Sequence, residues 1–169
     1  MEKKLRRIIL HWWRSAGRYN QYFWEHYHFF VDDKGRVQRG KYFPVVNVDC
    51  SDGEYCPHTG GGNTGSIGIC MNGMFGYKNR FDVGEYPLTK PQVEACCKQV
   101  AKLMIKYNIP LGNVLTHAEF GLQNPHTTSK GKIDICWLPY GLYGIKHCGD
   151  FLRNKINWYY QKIKEGKIK

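Results

Sequence analysis

No apolar run in the 169 residues approaches the roughly 18–20 needed to cross a bilayer as a helix. At the N-terminus the apolar stretch Ile8–Leu10 stops at His11, too short for the core of a secretory signal, so export by a signal peptide is not expected. The seven cysteines contain no Cys-x-x-Cys pair, are odd in number and include the adjacent Cys96 and Cys97, which argues against a secreted disulfide framework and for reduced thiols made in a cytosol. Internal repeats, low-complexity tracts and a convincing linker are also missing. Acidic residues are scarce, 14 Asp+Glu against 25 Lys+Arg, leaving a formal charge of +11. What is present is a globular composition, 42% hydrophobic and 15% aromatic, in a length that suits one domain with its own core.

Periodicity divides the chain. Arg7–Trp13 is a short strand, and Tyr27–Val31, a turn through Asp32 to Gly35, and Arg36–Gly40 form a hairpin. Pro44–Thr64, rich in Asp, Ser, Gly and Asn, is a long loop, and a loop of that length in a compact domain is usually functional. It leads to a strand at Ser66–Met71. Thr89 and Gln92, with Pro91 in the first turn, start a helix of the capping-box type. Its apolar face is Val93, Cys96, Cys97, Val100, Met104 and Tyr107. Asn113–Glu119 is strand-like, and Asp150 is placed to cap a last helix with the stripe Leu152, Ile156, Tyr159 and Ile163. The expected architecture is α/β: a single domain with a central mixed β-sheet flanked by α-helices. Residues 1–148 form its body, and 149–169 a basic C-terminal helix packed on it.

Seven histidines invite a metal hypothesis. His11 and His117 each end an apolar strand segment, where two imidazoles can converge on one ion. A catalytic zinc usually takes three protein ligands. In extended conformation Lys132, Asp134 and Cys136 share one face while Ile133 and Ile135 enter the core, so a carboxylate or a thiolate can complete the set. Glu119, read as two positions beyond His117 on the same strand face, is either a partner of a ligand histidine or a surface charge. His28 reads as structural. Trp12, Trp13 and Tyr19 are candidates to stack on sugar or peptide. The loop Gly60–Thr64 lacks the lysine and hydroxyl of a nucleotide-binding P-loop.

The blocks IILHW, HYHFFVDDKGRV, HTGGGNTGSIGIC, LTKPQVEA, VLTHAEF and GKIDICWLP, in this order from Arg7 to Pro139, closely resemble the zinc-dependent N-acetylmuramoyl-L-alanine amidases of the type-2 amidase and peptidoglycan recognition protein superfamily, above all phage and prophage endolysins. The resemblance implies zinc ligands at His11, His117 and Asp134, a catalytic lysine at Lys132, a tyrosine at Tyr27 and a substrate-binding histidine near the metal at His58. The short spacing from His11 to Tyr27 implies a trimmed helix between them. Some members carry a glutamate on the strand after the glycine loop, where this chain reads Gly68-Ile69-Cys70-Met71-Asn72.

The resemblance further implies a bacteriolytic, zinc-dependent hydrolase that cleaves the amide between N-acetylmuramic acid and L-alanine. Zinc would lower the pKa of water toward about 7, and Lys132 would stabilise the developing oxyanion. Tyr27 would orient water or steady the oxyanion. The expected setting is synthesis in a host bacterial cytoplasm, release to the cell wall, a monomeric state and attraction of the basic C-terminal helix to an anionic envelope. Two rivals differ in prediction. A module that binds peptidoglycan without cutting it would have lost a zinc ligand, whereas all three positions are filled. A nucleic-acid-binding protein would use the positive charge without any metal.

Overall fold

A computed structural model of the chain describes residues 2–16 and 20–169. The first strand, β1 (Arg7–Ser15), is followed by a short helix α1 (Gln21–His26), a hairpin of β2 (Phe29–Val31) and β3 (Val37–Arg39), and a long loop to β4 (Ser66–Met74). Then come α2 (Lys90–Tyr107), β5 (Val114–Thr116), α3 (His117–Gln123), a two-residue hairpin pair β6 (Trp137–Leu138) and β7 (Leu142–Tyr143), and α4 (Ile145–Lys164).

Five strands make one mixed sheet in the order β3-β2-β4-β1-β5, in which β1 runs parallel to β4 and β5, β2 runs parallel to β4, and β3 closes the edge antiparallel to β2. All nine residues of β4 are buried, as befits a central strand covered on both faces. Alternation sorts the side chains. Ile8, Leu10, Ile67, Ile69 and Met71 meet Val93, Cys97 and Val100 of α2 and Leu152 and Ile156 of α4. Each such aliphatic contributes about 1.5–3 kcal/mol through burial. On the opposite face Phe23, Tyr27, Phe30 and Cys70 form a smaller cluster.

The capping box of α2 forms as the sequence predicts, Thr89 and Gln92 each bonding the other's backbone N–H. The Gln92 amide also donates to the Val31 and Asn72 carbonyls, tying the helix start to β2 and β4. Helix α1 has six residues, in line with the trimmed connection expected between His11 and Tyr27.

Two expectations are corrected. The strand expected over Asn113–Glu119 ends at Thr116, because Thr116 and Glu119 form a second capping box that starts α3 at His117. Helix α4 begins at Ile145 behind Gly144, so Asp150 is not its cap. It lies in the second turn, accepting from Lys146 and Arg153, and the expected division after residue 148 falls within the helix. All seven cysteines are free.

Candidate metal centre and cleft

Register brings the two histidines together. The parallel ladder of β1 and β5 ends at Leu10↔Thr116, so His11 and His117 are the next residues on two neighbouring segments, and their ring centroids lie 4.6 Å apart. The chain returning past α3 supplies Asp134, whose backbone carbonyl accepts the Ala118 N–H at 2.7 Å. One Asp134 carboxylate oxygen, Oδ2, is 3.1 Å from Nδ1 of both His11 and His117. All three residues are buried, and a ligand atom from each lies within 4.8 Å of the others.

Hydrogen-bond accounting assigns the protons. Ser129 donates its hydroxyl to the Gly60 carbonyl at 2.8 Å, so its oxygen accepts from His117 Nε2 at 3.0 Å. Nε2 of His58 faces the Ser66 carbonyl at 3.3 Å and must carry hydrogen, which leaves His58 Nδ1 to accept from Thr59 at 2.7 Å. His11 Nε2, 3.2 Å from Thr59 Oγ1, then donates to that hydroxyl. Both ligand histidines thus turn a bare Nδ1 toward Asp134. Burial, opposed by the Asp134 contact, pushes His11 down to about 4. Two ring nitrogens and a carboxylate oxygen therefore converge as acceptors. This donor set, two neutral imidazoles and a carboxylate with outer partners fixing each ring, fits a divalent cation.

The centre lies at a cleft of about 510 Å³ that Tyr27, His58, Lys132, Trp13, Tyr22 and Arg14 help to line. Tyr27 is 4% exposed and its ring is 5.1 Å from that of His11. Burial, then Cys70 and Asp134, raise its hydroxyl well above the ordinary phenol value, so it is a donor and not a base at neutral pH. Lys132 is exposed at the cleft, and its charge contributes to the lowered pKa of His11. His58 has both ring nitrogens engaged within the protein. A Cβ built on Gly68 would sit 2.3 Å from the His58 ring, so glycine on β4 makes room for this imidazole.

Other expectations change here. Residues 132–136 are not an extended strand: their hydrogen bonds go to Ser129, to the start of α3 and to Gly144, not to a ladder. Ile133 consequently is 37% exposed, not core, while Ile135 is fully buried. Cys136 turns away from the histidines and lies 3.3 Å from the Tyr77 hydroxyl. Glu119 neither touches a ligand histidine nor faces solvent. It caps α3 and accepts from Arg153. On β4 the partner of His11 is Cys70, so no carboxylate occupies that place. His28 is structural as expected, accepting the Gly68 N–H at 2.9 Å. Trp12 is 4% exposed, its ring packed against Tyr77, and Tyr19 lies outside the described residues. Thr59 and Ser129 are the partners that sequence reading missed. Thr59 adjoins His58 in the motif, whereas nothing in the sequence around Ser129 signals its role.

Residues 1–134 match the sequence profile of the N-acetylmuramoyl-L-alanine amidase family. Comparison with curated proteins gives no match. Among solved structures, the Drosophila peptidoglycan recognition protein SD superposes with a TM-score of 0.50 at 16% identity, over 82% of this chain and 83% of that one. The catalytic domain of PlyG matches at 0.48 and 21%, over 98% and 84%. The amidase LysC from Clostridium intestinale URNW matches at 0.47 and 19%, over 68% and 72%. The sheet with its flanking helices is the fold of type-2 amidases and peptidoglycan recognition proteins.

Proposed function

The chain belongs to the N-acetylmuramoyl-L-alanine amidase family, and from that premise we propose that it hydrolyses the amide between N-acetylmuramic acid and the L-alanine of the stem peptide, with zinc held by His11, His117 and Asp134. The observation that carries this reading is the convergence of three metal-ligating atoms beside a cleft that Lys132 and Tyr27 also line. When bound, zinc supplies a Lewis acid and a water nucleophile activated near neutral pH. The chain's own groups do the rest. As water adds to the carbonyl carbon, the Lys132 ammonium stabilises the negative charge that develops on the carbonyl oxygen. Tyr27, protonated, donates a hydrogen bond at the same place. His58, through Thr59, keeps the His11 ring turned so that Nδ1 stays free for the metal. The carbon–nitrogen bond then breaks, the alanine nitrogen takes up the proton given up by the adding water, and it leaves as an amine beside the new carboxyl group. Arg14, also lining the cleft, suits a carboxylate of the stem peptide.

The test is incubation with purified sacculi, with and without a chelator. Peptides with new N-terminal L-alanine should appear, and the chelator should abolish them. New reducing sugar ends without new alanine amines would make the protein a glycosidase. A peptidoglycan-binding module would retain the sacculi and release nothing.

The biological setting belongs to the same reading: a monomeric endolysin of a phage or prophage, made in the host cytoplasm and acting on the wall. An anionic envelope would attract the surface of α4, where Lys146, Lys162 and Lys164 add to the chain's charge of +11. Sedimentation with anionic but not neutral vesicles, lost at high salt, supports that attraction, and equal binding to both removes it.

A further inference from the structure

One wall of the cleft takes no part in the hydrolytic chemistry. Trp13 lies two residues beyond His11 on β1, so strand alternation turns both to the same face. Its indole stacks on Tyr22, with ring centroids 4.5 Å apart and planes at 21°. Tyr22 in turn stacks on His26, at 3.8 Å and 7°. His26 donates from Nδ1 to the Tyr22 carbonyl at 2.9 Å, which fixes the far ring of the column. Trp13 ends the column at the cleft, 39% exposed, in contrast to its neighbour Trp12, which is packed in the core at 4%.

A large indole kept at a cleft and braced by two rings loses little freedom when a flat apolar surface lands on it. The uncharged part of a muropeptide with such a surface is the pyranose ring, whose C–H bonds form an apolar face. The geometry agrees. Two residues along a strand span about 7 Å, and the lactyl ether places the muramoyl ring only a few bonds from the scissile carbonyl. We propose that Trp13, braced by Tyr22 and His26, is the platform for the muramoyl sugar and makes the cleft selective for amides that carry one. The proposal rests on the amidase reading for the identity of the ligand.

The experiment compares N-acetylmuramoyl-L-alanyl-D-isoglutamine with D-lactoyl-L-alanyl-D-isoglutamine, which keeps the amide and lacks the sugar. Binding is followed by titration calorimetry and hydrolysis by amine release. Trp13→Ala should weaken binding of the muramoyl peptide about tenfold, as loss of an aromatic contact does, and leave the lactoyl peptide unchanged. Trp13→Phe should recover most of the loss, and Tyr22→Ala should fall between. Equal losses on both ligands, or none on the muramoyl peptide, would overturn the proposal. Trp13-dependent binding without amine release would sink the amidase reading and leave the sugar platform standing. Amine release from both ligands, unaffected by Trp13→Ala, would do the reverse.

Discussion

Arg153 on α4 donates to both carboxylate oxygens of Glu119, at 2.8 and 2.7 Å, and the same carboxylate accepts the backbone N–H of Thr116 at 2.9 Å. The last helix is thereby tied to the first turn of α3, whose first residue is His117, proposed above as a metal ligand. The helices meet so closely that a Cβ built on Gly149 would lie 2.1 Å from Glu119 Oε1. Arg153→Leu should leave a carboxylate unpaired in a buried place and cost about 3–5 kcal/mol. Urea denaturation measures that loss. In the double variant with Glu119→Gln the loss should be less than the sum of the two, since the changes share one interaction. A single-variant loss below about 1 kcal/mol would mean that the clamp is idle.

The ligand set makes a separate prediction. His11→Ala, His117→Ala and Asp134→Ala should each lose zinc, read by elemental mass spectrometry of the purified proteins. Cys136→Ala should keep it, because that thiol faces Tyr77. A chelator should lower the thermal midpoint of the parent chain, which binding to the native state otherwise raises, and should leave the three ligand variants unmoved. Zinc retained by Asp134→Ala and lost by Cys136→Ala would reverse the assignment of the third ligand.

The sequence singled out the three converging residues better than it conveyed their local structure. His11 was legible because it interrupts Ile8-Ile9-Leu10, and His117 because it follows a short apolar run. Their convergence depends on the parallel register of β1 with β5, a long-range pairing that no local pattern encodes. Thr116 to Glu119 has the capping-box spacing, and reading it as strand gave Glu119 the wrong surroundings. The alternation argument for Lys132, Asp134 and Cys136 failed because that segment bonds to α3 and to loops. Lys132 and Asp134 still reach the cleft, and Cys136 does not. Most of the apolar face of α2 was readable from its 3.6-residue period: Val93, Cys96, Cys97, Val100 and Met104 are buried, while Ala101 and Leu103 join them unread and Tyr107 is only partly buried.

Lys132 and Tyr27 should separate from the ligands in their effects. Lys132 is exposed at the cleft, so Lys132→Met should preserve fold and zinc content. It should lower kcat by about 100- to 1000-fold, the usual loss when one oxyanion donor is removed. Tyr27→Phe keeps the ring that packs beside His11 and deletes only the hydroxyl, so its zinc content should also hold while kcat falls. Steady-state kinetics on a soluble muropeptide, beside metal analysis, distinguishes these outcomes. A rise in KM at constant kcat would make Lys132 a binding residue instead.

His28 sets a pH dependence away from the metal. Its ring is fully buried against β4, and burial pushes it from the ordinary 6.5 to about 4. The native state therefore holds the imidazole neutral while the unfolded chain protonates it readily. The stability linked to this group is fully present above pH 6.5 and is lost as the pH falls toward 4, about 3 kcal/mol across that interval. His28→Gln, which can still accept from the Gly68 N–H, removes the titration. Urea unfolding of both proteins between pH 7 and 4 should show the stability of the parent falling relative to the variant by about that amount. A constant difference across the range would mean that His28 titrates alike in both states, and its burial would then have no electrostatic consequence.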